Sequence, residues 1–241
     1  MSTHSSPIAF PPAIAAYADG PALARALAAH VAEALRARLA RDGAASLAVS
    51  GGRTPVAFLE TLSGAPLDWG RIAVTLVDER WVPETSPRSN AALVRRHLLR
   101  GPAADARFVP LFTGDATPEE GLAAATATVA SLPSPFAAVV LGMGDDGHTA
   151  SFFPGAEGLA AAIDPAGTAP LAIARAEGAG EPRITFTLPS LIAADRLFLH
   201  IEGRTKRSVL ERACAGTDAA ELPIRAVLNA VRAPLDVMWC P

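Results

Sequence analysis

"AAVVLGMGDDGHTASFFPG", residues 137–155, carries the central ambiguity of this chain. A short apolar run ends in Gly142-Met143-Gly144-Asp145-Asp146-Gly147, which matches the G-x-G-x-x-G pattern of dinucleotide-binding loops. Such a loop needs a long helix after its third glycine, and an acidic residue about 20 positions on that ends the next strand. Here Pro154-Gly155 stops any helix within two turns, and Asp164 is followed by Pro165 in a loop. The stretch therefore reads as a strand and a tight turn that aims side chains into a cleft. Of the other histidines, His4 lies in a tail, His30 and His97 in helical stretches and His200 within a strand, so His148 alone stands at a strand end beside carboxylates. An imidazole is largely unprotonated at neutral pH and suits a general base, and Asp146 is spaced to orient it. The plainer alternative is a structural turn whose histidine caps a short helix.

Outward from this turn, short apolar strands alternate with helical stretches. Residues 46–50, 71–79, 136–142, 171–177, 196–203 and 235–240 read as strands, apolar on both faces. Residues 21–43, 54–62, 89–99, 118–132 and 205–213 read as helices, with Thr54 and Ser89 as expected caps and Gly43 as a stop. This alternation predicts an α/β protein whose mostly parallel sheet carries helices on both faces. No repeat or low-complexity linker divides the chain, so one domain over 1–241 is expected, with residues 1–20 as an N-terminal arm.

Ligands of open parallel sheets sit beyond the carboxyl ends of the strands. Four such places collect polar residues and glycine: Ser50 to Thr54, Asp78 to Arg80, Gly142 to Thr149, and Gly203 to Lys206. "SGGRTP" offers backbone N–H groups at a helix start, an arrangement that binds phosphate, although it would equally serve as a plain strand–helix turn. It lacks the lysine and spacing of a P-loop and the preceding glycine of a nucleophile elbow. Asp78, Glu79 and Arg80 form either a surface ion pair or a charge cluster that positions a sugar or an oxyanion.

Composition narrows the ligand class. The chain of 241 residues has a net charge of −3, which gives no global attraction for nucleic acid or an anionic membrane, so an anionic ligand must be held locally. Of its 21 basic residues only Lys206 is lysine, although a compact ammonium and a planar guanidinium differ chemically. Lys206, at the start of its helix, and Arg183 in "EPRITFTLP" make a plausible pair of phosphate cations. Two cysteines, Cys214 and Cys240, suggest neither a disulfide framework nor a metal cage. No apolar run approaches a membrane span and the first residues do not read as a signal peptide, so a soluble cytoplasmic protein is expected.

In order, "SGGRTP", "DERWVP", Ser89-Asn90, "LGMGDDGHTASFFPG", "PRITFTLP" and "TKRSVL" together resemble the 6-phosphogluconolactonase family over roughly residues 20 to 240. The resemblance implies a Rossmann-like fold of the NagB/RpiA/CoA transferase-like type, shared with sugar-phosphate isomerases. It implies hydrolysis of a phosphorylated sugar lactone in the pentose phosphate pathway, with no metal or cofactor and no nucleic-acid or membrane partner, by a monomer or weak homo-oligomer. His148 would be the general base, Asp146 its orienting partner, and Arg80 a substrate-positioning cation. Arg183 and Lys206 would hold the phosphate beside Ser50, Gly51 and Gly52, with Asp78, Asn90 and Gly144 also at the substrate. Arg53 is expected to point along its helix rather than to the ligand. The related glucosamine-6-phosphate deaminases carry a glutamate five residues after the histidine, where this chain has Phe153. A non-catalytic sugar-phosphate sensor on the same fold would be expected to add a DNA-binding segment, for which the residues before the first helix are too few and not basic.

Overall fold

The computed structural model describes residues 12–177, 180–230 and 235–241. Ten strands and eight α-helices are defined within them. The strands are β1 (Ile14–Ala16), β2 (Ala45–Val49), β3 (Ile72–Leu76), β4 (Asp78–Arg80), β5 (Arg107–Phe108), β6 (Ala138–Leu141), β7 (Leu171–Ala174), β8 (Arg183–Phe186), β9 (Arg196–Glu202) and β10 (Leu235–Cys240). The helices are α1 (Gly20–Asp42), α2 (Val56–Ser63), α3 (Asn90–His97), α4 (Pro118–Val129), α5 (Leu159–Ala162), α6 (Leu188–Ile192), α7 (Arg204–Cys214) and α8 (Ile224–Ala230).

Seven strands form one parallel sheet in the order β1-β10-β9-β6-β2-β3-β5, as an α/β Rossmann-like fold requires. Every residue of β2, β3 and β6 is buried, the mark of strands covered on both faces. From β2 the chain runs outward through β3 to β5, then returns to the other side of β2 and continues outward through β6, β9 and β10. The order reverses between β2 and β6, so the loops after these strands splay apart and leave a crevice. "SGG" follows β2 and the Gly-rich turn follows β6.

The longest helix shows how local chemistry sets the layers. Asp19 caps α1 by accepting from the Ala22 N–H at 2.8 Å, and Gly43 ends it at φ 77°, a left-handed conformation glycine adopts without strain. Leu23, Leu27, Val31 and Leu35 recur at helical spacing and are fully buried.

Three departures from the sequence reading matter. Part of the expected N-terminal arm, Ile14–Ala16, is an edge strand paired with β10; residues 1–11 of that arm lie outside the described residues. Thr54 does not cap α2, whose N-cap is Pro55 with no side-chain bond. The single strand expected over 71–79 is two. At Val77 the chain leaves the parallel sheet, and β4 pairs antiparallel with β8, which also pairs with β7 in a second, three-stranded sheet. Val77 serves both sheets, donating to the Val49 carbonyl at 3.0 Å and accepting from the Phe186 N–H at 2.9 Å. This swerve carries Asp78, Glu79 and Arg80 over the crevice.

Ser50 fastens the two diverging strand ends. Its hydroxyl donates to the Val140 carbonyl at 2.9 Å and accepts from the Gly142 N–H at 3.0 Å. The Val140 carbonyl would keep its bond from the Ser50 backbone N–H (3.0 Å), but replacing Ser50 with alanine strands the Gly142 N–H and should cost about 1–3 kcal/mol. Urea unfolding of the Ser50→Ala protein measures it, and an unchanged midpoint would show that the stitch contributes nothing.

Candidate active site

A cleft of about 300 Å³ opens at the crevice between β2 and β6. Ten of the eleven residues singled out from the sequence line it: Ser50, Gly51, Gly52, Asp78, Arg80, Asn90, Gly144, His148, Arg183 and Lys206. The eleventh, Asp146, is outside the lining but touches His148 directly. Arg53 also lines the cleft, and it is exposed.

The Gly-rich turn closes on itself. The Gly144 N–H donates to the His148 carbonyl at 2.9 Å, and the Thr149 hydroxyl donates to the Gly142 carbonyl at 2.8 Å. These bonds fold the turn back so that the Asp146 carboxylate accepts from both the His148 backbone N–H (3.1 Å) and the His148 ring Nδ1 (2.6 Å). The imidazole holds the Asp146 carboxyl below the usual carboxylate range, through this hydrogen bond first and charge second, against the opposing effect of burial. An ionised carboxylate only accepts, so Nδ1 is the donor in this contact, and in the neutral ring Nε2 is then the nitrogen with the lone pair. The Phe153 ring lies 4.5 Å from the imidazole, tilted by 35°, and the Arg183 guanidinium stands 5.3 Å over the same phenyl ring. One aromatic side chain thus braces both groups.

The cationic wall is built by β4 and β8, whose register sets Arg80 opposite Arg183. Arg183 is 8% exposed and faces Asp78 Oδ2 at 3.5 Å, an oxygen that also accepts from the Ser151 hydroxyl at 2.6 Å. Burial lowers the Arg183 pKa, Asp78 opposes that, and Arg80 adds to it. Arg80 donates to the Arg88 carbonyl and to Asn90 Oδ1 at 3.0 Å, while the Asn90 amide donates to the Asp78 carbonyl at 2.9 Å. A Cβ on Gly51 would run into the Asn90 side chain, so glycine lets the two loops meet.

Glu79, taken from the sequence as part of a charge cluster, has a different task. It is fully buried and accepts four hydrogen bonds, from the N–H groups of Arg80 (2.9 Å), Asn90 (2.8 Å) and Ala91 (2.8 Å) and from the Ser89 hydroxyl (3.1 Å). Burial pushes its carboxyl upward in pKa and the four donors pull it back. Because three of these donors start α3 and the fourth belongs to β4, the carboxylate locks that helix to the strand and fixes Arg80 and Asn90 together. His200, which the sequence places within a strand and not at its end, also lines the cleft from β9. Its position near the carboxyl end of a parallel strand was the available signal.

Among the described residues, no group of three or more His, Cys, Asp or Glu side chains is arranged to hold a metal ion, and no helix is long and apolar enough to cross a membrane.

Comparison with known proteins fits this arrangement. The family model described as "Glucosamine-6-phosphate isomerases/6-phosphogluconolactonase" matches residues 18–239. The chain belongs to that family. It is 53% identical over 220 residues to the 6-phosphogluconolactonase of Rhizobium meliloti, covering 91% of this chain and 95% of that protein. It is 51% identical over 218 residues to the 6-phosphogluconolactonase of Pseudomonas aeruginosa, covering 90% of each. A crystal structure of a 6-phosphogluconolactonase from Shewanella baltica superposes with a TM-score of 0.94 at 36% identity, covering 98% of this chain and 100% of that one.

The buried carboxylate gives a direct test. Glu79→Ala would strand its donors and free the start of α3, so it should lower unfolding stability by roughly 3 kcal/mol or more. Denaturant titration measures the loss, and a change within about 0.5 kcal/mol, the range of ordinary surface substitutions, would contradict this role.

Proposed function

We propose that this protein hydrolyses 6-phosphoglucono-1,5-lactone to 6-phosphogluconate, in the oxidative branch of the pentose phosphate pathway, with His148 as general base. The observation that carries the mechanism is the 2.6 Å contact between Asp146 and His148 Nδ1, which leaves Nε2 as the proton acceptor in a cleft walled by Arg80, Arg183 and Lys206. The names and similarity of the bacterial relatives support the substrate.

A lactone carbonyl is already activated toward water, so no covalent nucleophile is needed. Nε2 of His148 removes a proton from water as its oxygen attacks C1, and the carbonyl electron pair moves onto oxygen. Arg80 or backbone N–H groups of the Gly-rich turn stabilise that oxyanion. As the intermediate collapses, the C1–ring-oxygen bond breaks and the imidazolium returns its proton to the departing oxygen. Asp146 stays ionised and stabilises the transient imidazolium. Arg183 and Lys206, with the N–H groups of Gly51 and Gly52, hold the phosphate and so fix the far end of the sugar. Asp78 and Asn90 act mainly by holding Arg183 and Arg80 in place.

Deamination of an amino sugar is disfavoured by Phe153. Its ring packs on the imidazole at the position where resemblance to the deaminases would imply a glutamate, and a phenyl group cannot relay a proton.

Loss of the base should be severe and local. His148→Ala is expected to lower kcat by about 10²-fold or more, the range of general-base catalysis, with unfolding stability nearly unchanged. Acid release from freshly made lactone reads this out, and a folded variant with parental turnover would remove His148 from the chemistry. Lys206→Ala should instead raise KM far more than it lowers kcat, because it acts on binding. An unchanged KM would take Lys206 out of the phosphate site.

A further inference from the structure

A second histidine borders the cleft and has no part in the mechanism above. His200, on β9, is only 3% exposed. Its Nε2 lies 3.1 Å from Glu202 Oε1, and its Nδ1 is buried with no hydrogen-bond partner among the described residues. Glu202 is two positions on, on the same face of the strand, and a Cβ on Gly20 would meet its carboxylate at 3.6 Å, which sets Glu202 against the first turn of α1. A helix N-terminus favours an ionised carboxylate. Glu202 therefore accepts, Nε2 carries the ring proton, and the stranded Nδ1 is an empty acceptor. Buried polar atoms without partners are rare and call for an explanation.

The surroundings supply one. Lys206, in the first turn of α7, borders the same cleft and acts on His200 through its charge. Burial lowers the His200 pKa most strongly, Glu202 opposes this, and Lys206 adds to it. From the other packed elements, β10 brings Cys240, a thiol pushed up in pKa by burial first and then by Glu202 and Asp19. Helix α1 brings His30, stacked on Phe198 two residues back along the strand, and β6 contributes apolar residues only. His148 shares the cleft. Without a ligand, His200 is thus a neutral imidazole beside a cation.

We propose that His200 is a positioning residue for the anionic end of the substrate, taking a proton on Nδ1 from solvent when a dianion docks at Lys206. The dianion cancels the repulsion from Lys206 and, with Glu202, surrounds the new imidazolium with negative charge. Binding and protonation then reinforce each other, so the phosphate end is gripped more tightly as pH falls. This rests on the assignment of the phosphate to Lys206.

Sulfate is the probe of choice, because it remains a dianion across the whole range and any pH dependence belongs to the protein. Ring ¹⁵N NMR of the full-length wild-type chain, between pH 5.5 and 8.5, follows His200 with and without saturating sulfate. Its pKa is expected to rise by about one to three units on binding, the range for an opposite charge at close approach. Sulfate affinity should fall by up to about tenfold per pH unit between the free and bound values, as linkage to one proton requires. His200→Gln, which keeps a donor toward Glu202, should flatten that dependence, whereas His148→Gln should leave it in place. Identical His200 titrations with and without sulfate would overturn the proposal, as would a slope that survives in His200→Gln or disappears in His148→Gln. The wild-type NMR decides even where the variant folds poorly. Sulfate that binds without perturbing the Lys206 ammonium would overturn the phosphate assignment together with this inference, whereas sulfate that binds at Lys206 with His200 unmoved would overturn this inference alone.

Discussion

Where two neighbouring parallel strands end and their chains depart in opposite directions, backbone groups lose their partners. That is the situation after Val49 and Leu141, where the order of the seven-stranded sheet reverses. Buried N–H and C=O groups must be satisfied locally, and here hydroxyls do it: Ser50 bridges Val140 and Gly142, and Thr149 returns to the Gly142 carbonyl. With those ends tied, the loops can bend outward without unravelling the sheet. The cleft is the space left between them.

Into that space the second sheet sets two cations side by side. Like charges directly opposite one another on an antiparallel ladder repel, and Arg80 and Arg183 are such a pair. Asp78, Asn90 and the Arg88 carbonyl hold them there, and Glu79 holds the segment that carries Arg80 and Asn90. The arrangement spends folding stability on positive potential directed at the cleft. An anion entering it relieves the repulsion and meets donors that are already oriented, so little reorganisation is left to binding. Lys206 differs, since no described residue forms an ion pair with it, and its flexible ammonium can adapt to the ligand.

Much of this was legible in the chain because parallel sheets concentrate function at strand ends. The four strand-end segments read from the sequence all reach the cleft, and the alternation of strands and helices was enough for the fold class. What escaped depended on partners distant in sequence. Residues 71–79 look like one strand since apolar character persists through Val77, and only the availability of β8 makes the chain change sheets there. Thr54 resembles a cap, yet Pro55 occupies that position. Glu79 in "DER" is indistinguishable by composition from a solvated charge, and its burial is set by the α3 N–H groups that meet it. Ser151 acquires meaning only from Asp78, far earlier in the chain.

The Gly-rich turn itself shows how one pattern can arise from two constraints. In a dinucleotide loop, glycine lets the backbone approach a pyrophosphate. Here a Cβ on Gly144 would collide with the His148 ring and the Asp146 carboxylate, so the space above that glycine belongs to the chain's own side chains. Gly147 is needed for its φ of 75°, which turns the chain back toward His148. Gly142 has no such requirement, since an added Cβ would meet only the Ser50 Cβ at an ordinary 3.9 Å. Phe153 then packs against the imidazole. With one face packed and Nδ1 bonded to a carboxylate, the ring is held in one orientation and one tautomer. The resemblance to a nucleotide loop therefore reflects the shared need for close backbone approach, and in this turn the group approached is a histidine.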